Sequence, residues 1–412
     1  MRIRGATFSD IDGVAGLIAE AFEIRPGVGV AYAGVYRALM ARDGAVTPDC
    51  SRIAEAQGQV VGHALVIPRQ MGVCGVPMPA GVVAFVAVRQ GARGQGIGRA
   101  LVEDAIRTMR ERGFLVSHLA GSPAFYRRFG YVEAYGKSAG EMPLERVHPY
   151  EGRAVVREAV AADAGALHGL FERENAGRTG CIRRDAGQWA WQLEAGHPGG
   201  YAACNEGLVG FRATRAACLV AVREGALIGY LRLLAGPGRV LVNEGAAMDE
   251  DVVAPLLAHA GEERVLAGRI ELSIPAEGAL GRWAAEQGAT FSEGLDPEAL
   301  VKTLDAPALL RRLAPVLSER ASALRGRSVR LLIETEGDRV ALGATPDGVT
   351  VEAGTGGADW QVTLPEIGLT QMIFGTRDYA AVIGRGADRG LSDWISALFP
   401  VQRPYLYLSD RF

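Results

Sequence analysis

The 412-residue chain has few of the groups that build redox or metal frameworks. Its five cysteines, Cys50, Cys74, Cys181, Cys204 and Cys218, form no Cys-x-x-Cys pair. An odd count without paired spacing argues against a disulfide framework or a structural zinc site. The six histidines lie far apart, with no His-x-x-x-His, so no metal is expected. No run of 18 apolar residues occurs, and the opening Met-Arg-Ile-Arg-Gly-Ala-Thr-Phe-Ser-Asp lacks an apolar signal core. No membrane partner is therefore expected, and a cytoplasmic location is. A net charge of −3 excludes a nucleic acid or anionic membrane held by bulk electrostatics. The cationic run Arg107 to Arg112 is interrupted by Glu111 and reads as a solvated helix face. What remains, 49% hydrophobic and 22% charged, fits a folded protein of two to four domains, each able to bury a core.

What the chain does have is glycine placed between a strand and a helix. Val82 to Val88 is an apolar run, followed by Arg-Gln-Gly-Ala-Arg93-Gly94-Gln95-Gly96-Ile97-Gly98-Arg99. Ala100, Leu101, Ala105, Ile106 and Met109 then recur at helical spacing. Glycines at 94, 96 and 98 let backbone N–H groups approach a ligand, and the helix N-terminus adds partial positive charge. The turn is thus suited to a pyrophosphate. A dinucleotide fingerprint would need its third glycine one place later, and a Walker loop would need Gly-Lys-Ser/Thr. A plain Gly-rich turn is the remaining alternative.

The flanks favour a ligand loop. After the helix comes a second strand, Gly113-Phe-Leu-Val-Ser-His-Leu119, and then Ser122-Pro-Ala-Phe-Tyr126-Arg-Arg-Phe-Gly130-Tyr131. Arg-x-x-Gly-x-Gly followed by Phe-Tyr-x-x-Phe-Gly-Tyr resembles the GCN5-related N-acetyltransferases. The resemblance implies acetyl-CoA held by Arg93, Gly94, Gln95, Gly96, Ile97, Gly98 and Arg99, and by the backbone of Val86, Ala87 and Val88.

A weak internal repeat follows. Arg4, Ala6, Asp10, Gly16 and Leu17 recur as Arg157, Ala159, Asp163, Gly169 and Leu170. Each set reads as a strand, an Asp-started helix cap and a helix. Gln57-Gly-Gln-Val-Val-Gly62 is echoed by Arg223-Glu-Gly-Ala-Leu-Ile-Gly229. The second copy lacks the ligand loop. Val240 to Asp249 has no arginine and no glycine triad, and Glu244, Asp249, Glu250 and Asp251 would repel phosphates. An unrelated α/β domain is the alternative there. Beyond residue 297 come a leucine-periodic helix (306–323), a hairpin turning at Glu336-Gly-Asp, two short strands and three helical stretches.

This order resembles the enhanced intracellular survival acetyltransferases of mycobacteria and their bacterial relatives. The resemblance implies a mixed α/β and α+β fold: an acetyltransferase domain at 1–150, a degenerate copy at 151–297 and a sterol-carrier-like α+β domain at 298–412. It implies acetyl transfer to a cationic amine (aminoglycoside, polyamine or lysine side chain), with Tyr126 as general acid and the terminal carboxylate of Phe412 as general base. It also implies a homohexamer. Arg411 departs from the acidic residue expected beside the terminus, with Asp410 as a partial substitute. Glu20 and Glu23 are candidates for attracting the amine, whereas His118 is not expected in the site. A ligand- or lipid-binding scaffold and a non-catalytic acetyl-CoA sensor are the alternatives.

Overall fold

The computed structural model describes residues 1–147, 154–194, 213–262, 269–322, 328–345, 348–354, 357–384 and 389–411. Phe412, expected as a catalytic group, lies outside these residues, as do Cys204, His148 and His197. The chain folds into mixed α/β units around three sheets.

The first sheet contains β1 (Arg2–Gly5), β2 (Ser51–Ala56), β3 (Gln59–Val73), β4 (Val76–Val88), β5 (Val116–Ala120) and β6 (Val132–Glu133). Three helices pack on it: α1 (Ile11–Ala21), α2 (Val28–Arg42) and α3 (Ile97–Glu111). The apolar spacing expected for α3 buries Ile97, Leu101, Ala105, Ile106 and Met109 on one face. Strand β5 does not meet β6 directly. The distant strand Ala299–Thr303 lies between them, antiparallel to both.

The second sheet repeats this plan. Val155–Glu158, Arg215–Arg223, Ala226–Gly236, Arg239–Ala247 and Arg269–Leu272 follow one another, and Thr290–Leu295 closes the far edge. Between the last two lies β7 (Gly136–Pro143), antiparallel to both. The two units thus exchange their sixth strands. Strand β7, which the sequence reading placed in the first segment, completes the second sheet. Ala299–Thr303, read as the start of the third segment, completes the first. Neither exchange has a local cue, because each joins segments more than a hundred residues apart.

The repeat is visible in detail. Arg4 is paired with Asp10 at 2.8 Å, and Arg157 with Asp163 at 2.7 Å. Each Asp carboxylate reaches back to an N–H three residues earlier, Thr7 or Val160, at 2.8 Å. These aspartates therefore close a turn before the helix rather than capping its first N–H groups. The Arg4 guanidinium holds the Asp10 carboxyl far below the usual carboxylate range, and Arg157 lowers Asp163 likewise. Both following hairpins turn through two residues of positive φ, Gln57-Gly58 and Glu224-Gly225, the geometry that matches strand twist. Both carry a register shift just before the turn, at Ala54/Glu55 and Ala221/Val222.

Glu244 is not in a loop facing phosphates; it lies within the strand Arg239–Ala247 and is fully buried.

The third sheet orders Gly348–Ala353, Arg339–Thr345, Val329–Glu334 and Trp360–Thr363. The helices Ala306–Ser322, Glu366–Phe374 and Arg389–Leu398 pack with it. Its apolar core is continuous with that of the first sheet through Leu309, Leu313, Met78 and Val73.

Helix α3 owes its seat to a small residue. A methyl group on Gly62 would stand 2.8 Å from both Ile97 Cγ2 and Leu101 Cδ1. Gly62→Ala is expected to cost about 1–3 kcal/mol of stability in a urea titration, the usual range for overpacking. Gly44→Ala, where an added methyl meets nothing within 4 Å, is the control and should cost far less.

Candidate active site

Strands β4 and β5 pair in parallel through Ala80–Val82 and Val116–His118, and the ladder ends there. Beyond it β4 continues to Val88, so one edge of Val83–Val88 is left without a β5 partner. On its other edge β4 stays joined to β3 across a bulge. His63 stands opposite Ala87 and Leu65 opposite Ala84, so Ala64 faces both Phe85 and Val86. Phe85 has φ 49°, a left-handed conformation that costs a bulky residue about 1–3 kcal/mol. Packing holds it there. The Phe85 ring makes edge-on contacts with Phe22, which directly follows α1, and with Tyr32 and Tyr36 of α2.

Past β4 the chain makes a short turn, Gln90–Ala92, and enters α3. Gly94 and Gly96 adopt φ 76° and 77°, which explains glycine at both positions. The first helical hydrogen bond runs from the Ala100 N–H to the Gly96 carbonyl at 3.0 Å. The N–H groups of Ile97, Gly98 and Arg99 precede it and are left for a ligand. No acidic residue lies in this first turn. Arg93 donates from Nε to the Val88 carbonyl at 3.1 Å, which ties the loop to the strand end. Arg99 is exposed and donates to Glu103 at 2.8 Å. The expected cofactor residues 86–88 and 93–99 are thus contiguous in space, at the mouth of the β4–β5 gap.

The Phe-Tyr motif meets this loop. It forms a single helical turn, Pro123–Tyr126. A methyl group on Gly98 would lie 3.6 Å from both the Phe125 ring and Val88. The Tyr126 ring covers Gly121 so closely that a Cβ there would fall 2.6 Å from Cε2. Gly121 directly follows β5, so Tyr126 sits at the end of the strand that leaves β4. Burial raises the Tyr126 hydroxyl to about 12.

The chain end reaches the same region. Tyr405 to Arg411 are all buried. The Pro404 carbonyl accepts the Gly136 N–H at 2.7 Å, and Tyr405 donates its N–H to the Thr179 carbonyl at 2.9 Å. Arg411 pairs with Asp296 at 2.5 Å. Burial and the Arg411 charge push the His118 imidazole, on β5, down to about 3. His118 is therefore neutral, and both its ring nitrogens lack partners among the described residues. A cleft of about 800 Å³ opens beside Arg411, with Asp296, Glu298, Lys137 and Tyr405 in its wall. The Glu298 carbonyl accepts the Gly121 N–H at 2.9 Å, which links the cleft to the residue under the Tyr126 ring.

Arg184, which the sequence did not mark, secures this tail together with Glu244. Arg184 is fully buried and makes two hydrogen bonds to Asp410, at 2.8 and 2.7 Å, and two to Glu244, at 2.9 and 2.5 Å. Its guanidinium lies between Phe171 and Trp189, 4.6 and 4.7 Å from the ring centroids. Ser409 also donates to Glu244. Burial alone would raise the Glu244 carboxyl, but Arg184 and Arg232 outweigh it and hold it at about 2. The second unit thus grips the residue before Arg411. Of the two acids expected to attract an amine, Glu23 spends both oxygens on the Gly27 and Gly29 N–H groups at the start of α2. Glu20 is exposed.

Residues 2–134 match the family model described as an acetyltransferase (GNAT) domain. Solved structures share the fold over the whole chain. A GCN5-related N-acetyltransferase from Kribbella flavida has 20% identity, coverage of 100% of this chain and 98% of that chain, and a TM-score of 0.75. One from Anabaena variabilis ATCC 29413 has 16% identity, full coverage of both chains and a TM-score of 0.74. Eis1 from Mycobacterium abscessus has 18% identity, full coverage of both chains and a TM-score of 0.67. No curated protein matches the sequence. At these identities the structures speak for the fold, and the family match over the first unit speaks for its chemistry. The protein is an acyltransferase with a GNAT domain. No described helix is long and apolar enough to cross a membrane.

Removing the Arg184 charge would strand Asp410 and leave Glu244 with Arg232. Arg184→Met is expected to lose about 3–5 kcal/mol in denaturant titration, the usual result of breaking one side of a buried pair. Adding Glu244→Gln and Asp410→Asn should recover part of that loss.

Proposed function

We propose that the protein is an acetyl-CoA-dependent N-acetyltransferase acting on a primary amine of a cationic acceptor. The observation that carries this is the meeting of three features at one point: the β4–β5 gap, the open N-terminus of α3, and Tyr126 over Gly121. The α3 N–H groups and Arg93 suit a pyrophosphate. The free edge of Val86–Val88 suits the pantetheine amides and the thioester carbonyl. Bound there, acetyl-CoA supplies the activated acyl group.

The acceptor amine must lose a proton, attack the thioester carbon and displace sulfur. The new C–N bond replaces the C–S bond. Tyr126 gives its hydroxyl proton to the departing sulfur. The burial that raises the phenol to about 12 also disfavours a free thiolate. Proton transfer therefore accompanies C–S cleavage rather than following it. The ammonium proton goes to the carboxylate of Phe412, directly or through water. The anchoring of Tyr405 to Arg411 supports this role by fixing the preceding residues.

The wider reading follows the family resemblance. Residues 1–150 form the catalytic domain, 151–297 a degenerate copy and 298–412 a sterol-carrier-like domain. The assembly is a homohexamer and the location cytoplasmic. Aminoglycosides, polyamines and lysine side chains remain the acceptor classes. The lack of a glycine loop after Arg239–Ala247 supports a second unit that holds the tail rather than a cofactor.

Thiol release from acetyl-CoA across an amine panel tests this. Tyr126→Phe should lower kcat about 10²–10⁴-fold, the range of a lost general acid, with KM for acetyl-CoA changed little. One alanine added after Phe412 should also depress kcat; full activity of that chain would remove the terminal carboxylate from the mechanism. Because the Tyr126 hydroxyl titrates near 12, its ionisation should leave no alkaline limb in kcat below about pH 10.

A further inference from the structure

We propose that His63 is a positioning residue for acyl transfer: it fixes the Phe85 carbonyl so that the Val86 N–H faces the open side of β4. The proposal rests on the acetyltransferase reading and adds to it a residue with no direct contact to substrate.

The geometry is specific. His63 is fully buried on β3, and its Nδ1 lies 2.9 Å from the Phe85 carbonyl oxygen. A carbonyl can only accept, so Nδ1 carries the proton. Burial holds the imidazole near 4, so the ring is neutral and Nε2 is bare. Nε2 has no partner among the described residues. A buried ring kept with one nitrogen unsatisfied is costly, and the hydrogen bond from the other nitrogen is what it does here. The ring is held edge-on to Tyr36, with centroids 5.4 Å apart.

Phe85 is the residue where orientation matters. It lies at the bulge with φ 49°, so its peptide has an alternative, less strained orientation within reach. In a planar trans peptide the carbonyl and the following N–H point in opposite directions. With the Phe85 carbonyl held by the His63 ring, the Val86 N–H points away from that ring. The edge of β4 opposite β3, the strand that carries His63, is the one that β5 leaves after Val82. If the peptide turned over, the gap would face a carbonyl oxygen, which repels the oxyanion that forms when the amine attacks. A donor preset toward developing negative charge is worth most when it need not reorganise during the reaction.

The test uses an isosteric pair in the full chain. His63→Asn keeps a donor near the Nδ1 position, and His63→Leu removes it at similar size. Each variant carries one polar cost, because Leu leaves the Phe85 carbonyl without the ring donor and Asn buries an amide oxygen, so the two should melt at similar temperatures. Activity should separate them. His63→Leu is expected to lose about tenfold or more in kcat, by comparison with losing an oxyanion donor outright, with KM for acetyl-CoA nearly unchanged, while His63→Asn retains most of the rate. A purely structural role would make activity follow stability. The second readout is the carbonyl stretch of bound, carbonyl-labelled acetyl-CoA. Its hydrogen-bonded shift should be present in wild type and His63→Asn and lost in His63→Leu. Should His63→Leu fail to fold, His63→Phe takes its place.

Equal kcat and equal carbonyl shift in all three proteins would overturn the proposal and leave the acetyltransferase reading standing. A wild type that binds acetyl-CoA but acetylates no amine would defeat that reading, and the carbonyl shift would still decide the role of His63. No binding of acetyl-CoA at all would overturn both.

Discussion

The parting of β4 from β5 after Val82 is the constraint on which the rest of the site depends. Two paired strands would satisfy each other's backbone and leave nothing for a ligand. By separating, they expose one edge of β4 beside the loop that opens α3. Several features support that separation. The bulge at Phe85 shifts the register of β4 against β3, and the rings of Phe22, Tyr32 and Tyr36 pack on Phe85 in its left-handed conformation. Gly62 lets α3 sit close on β3. Gly121 lets Tyr126 lie across the end of β5. The strain in the strand is local, and packing on the opposite face offsets it.

The exchange of sixth strands makes the two units depend on each other. β7 completes the second sheet and Ala299–Thr303 completes the first. Neither unit has its full sheet from a contiguous stretch of chain. The second unit also buries Asp410 and Ser409 against Arg184 and Glu244. The second unit therefore holds Ser409 and Asp410 next to Arg411, whose charge acts on His118 of β5. A buried ion pair of this kind adds little net stability over apolar packing, but it strongly penalises any arrangement that leaves one partner alone. That penalty holds the tail in one place.

Much of the fold was legible because its signals are local. The glycines at 94 and 96, the helical spacing through Met109 and the Phe-Tyr motif all lie in one short segment, and the structure brings them together. The repeat was visible in Arg4 and Asp10 against Arg157 and Asp163, since each pair closes over six residues. What depended on distant partners was not legible. Nothing in β7 marks it for the second sheet. Glu244 looked like a loop acid because its partners, Arg184 and Asp410, lie 60 residues before it and 166 after it. His63 looked like an isolated histidine on a strand. Its meaning comes only from the φ of Phe85, 22 residues away across a hairpin.

The most direct test is a crystal structure with coenzyme A bound. The account predicts the pantetheine arm along the free edge of Val86–Val88 and the pyrophosphate on the N–H groups of residues 97–99. It also places the sulfur within about 3.5 Å of the Tyr126 hydroxyl, near hydrogen-bond reach. Coenzyme A bound elsewhere, or a sulfur far from Tyr126 with the β4–β5 gap empty, would contradict it.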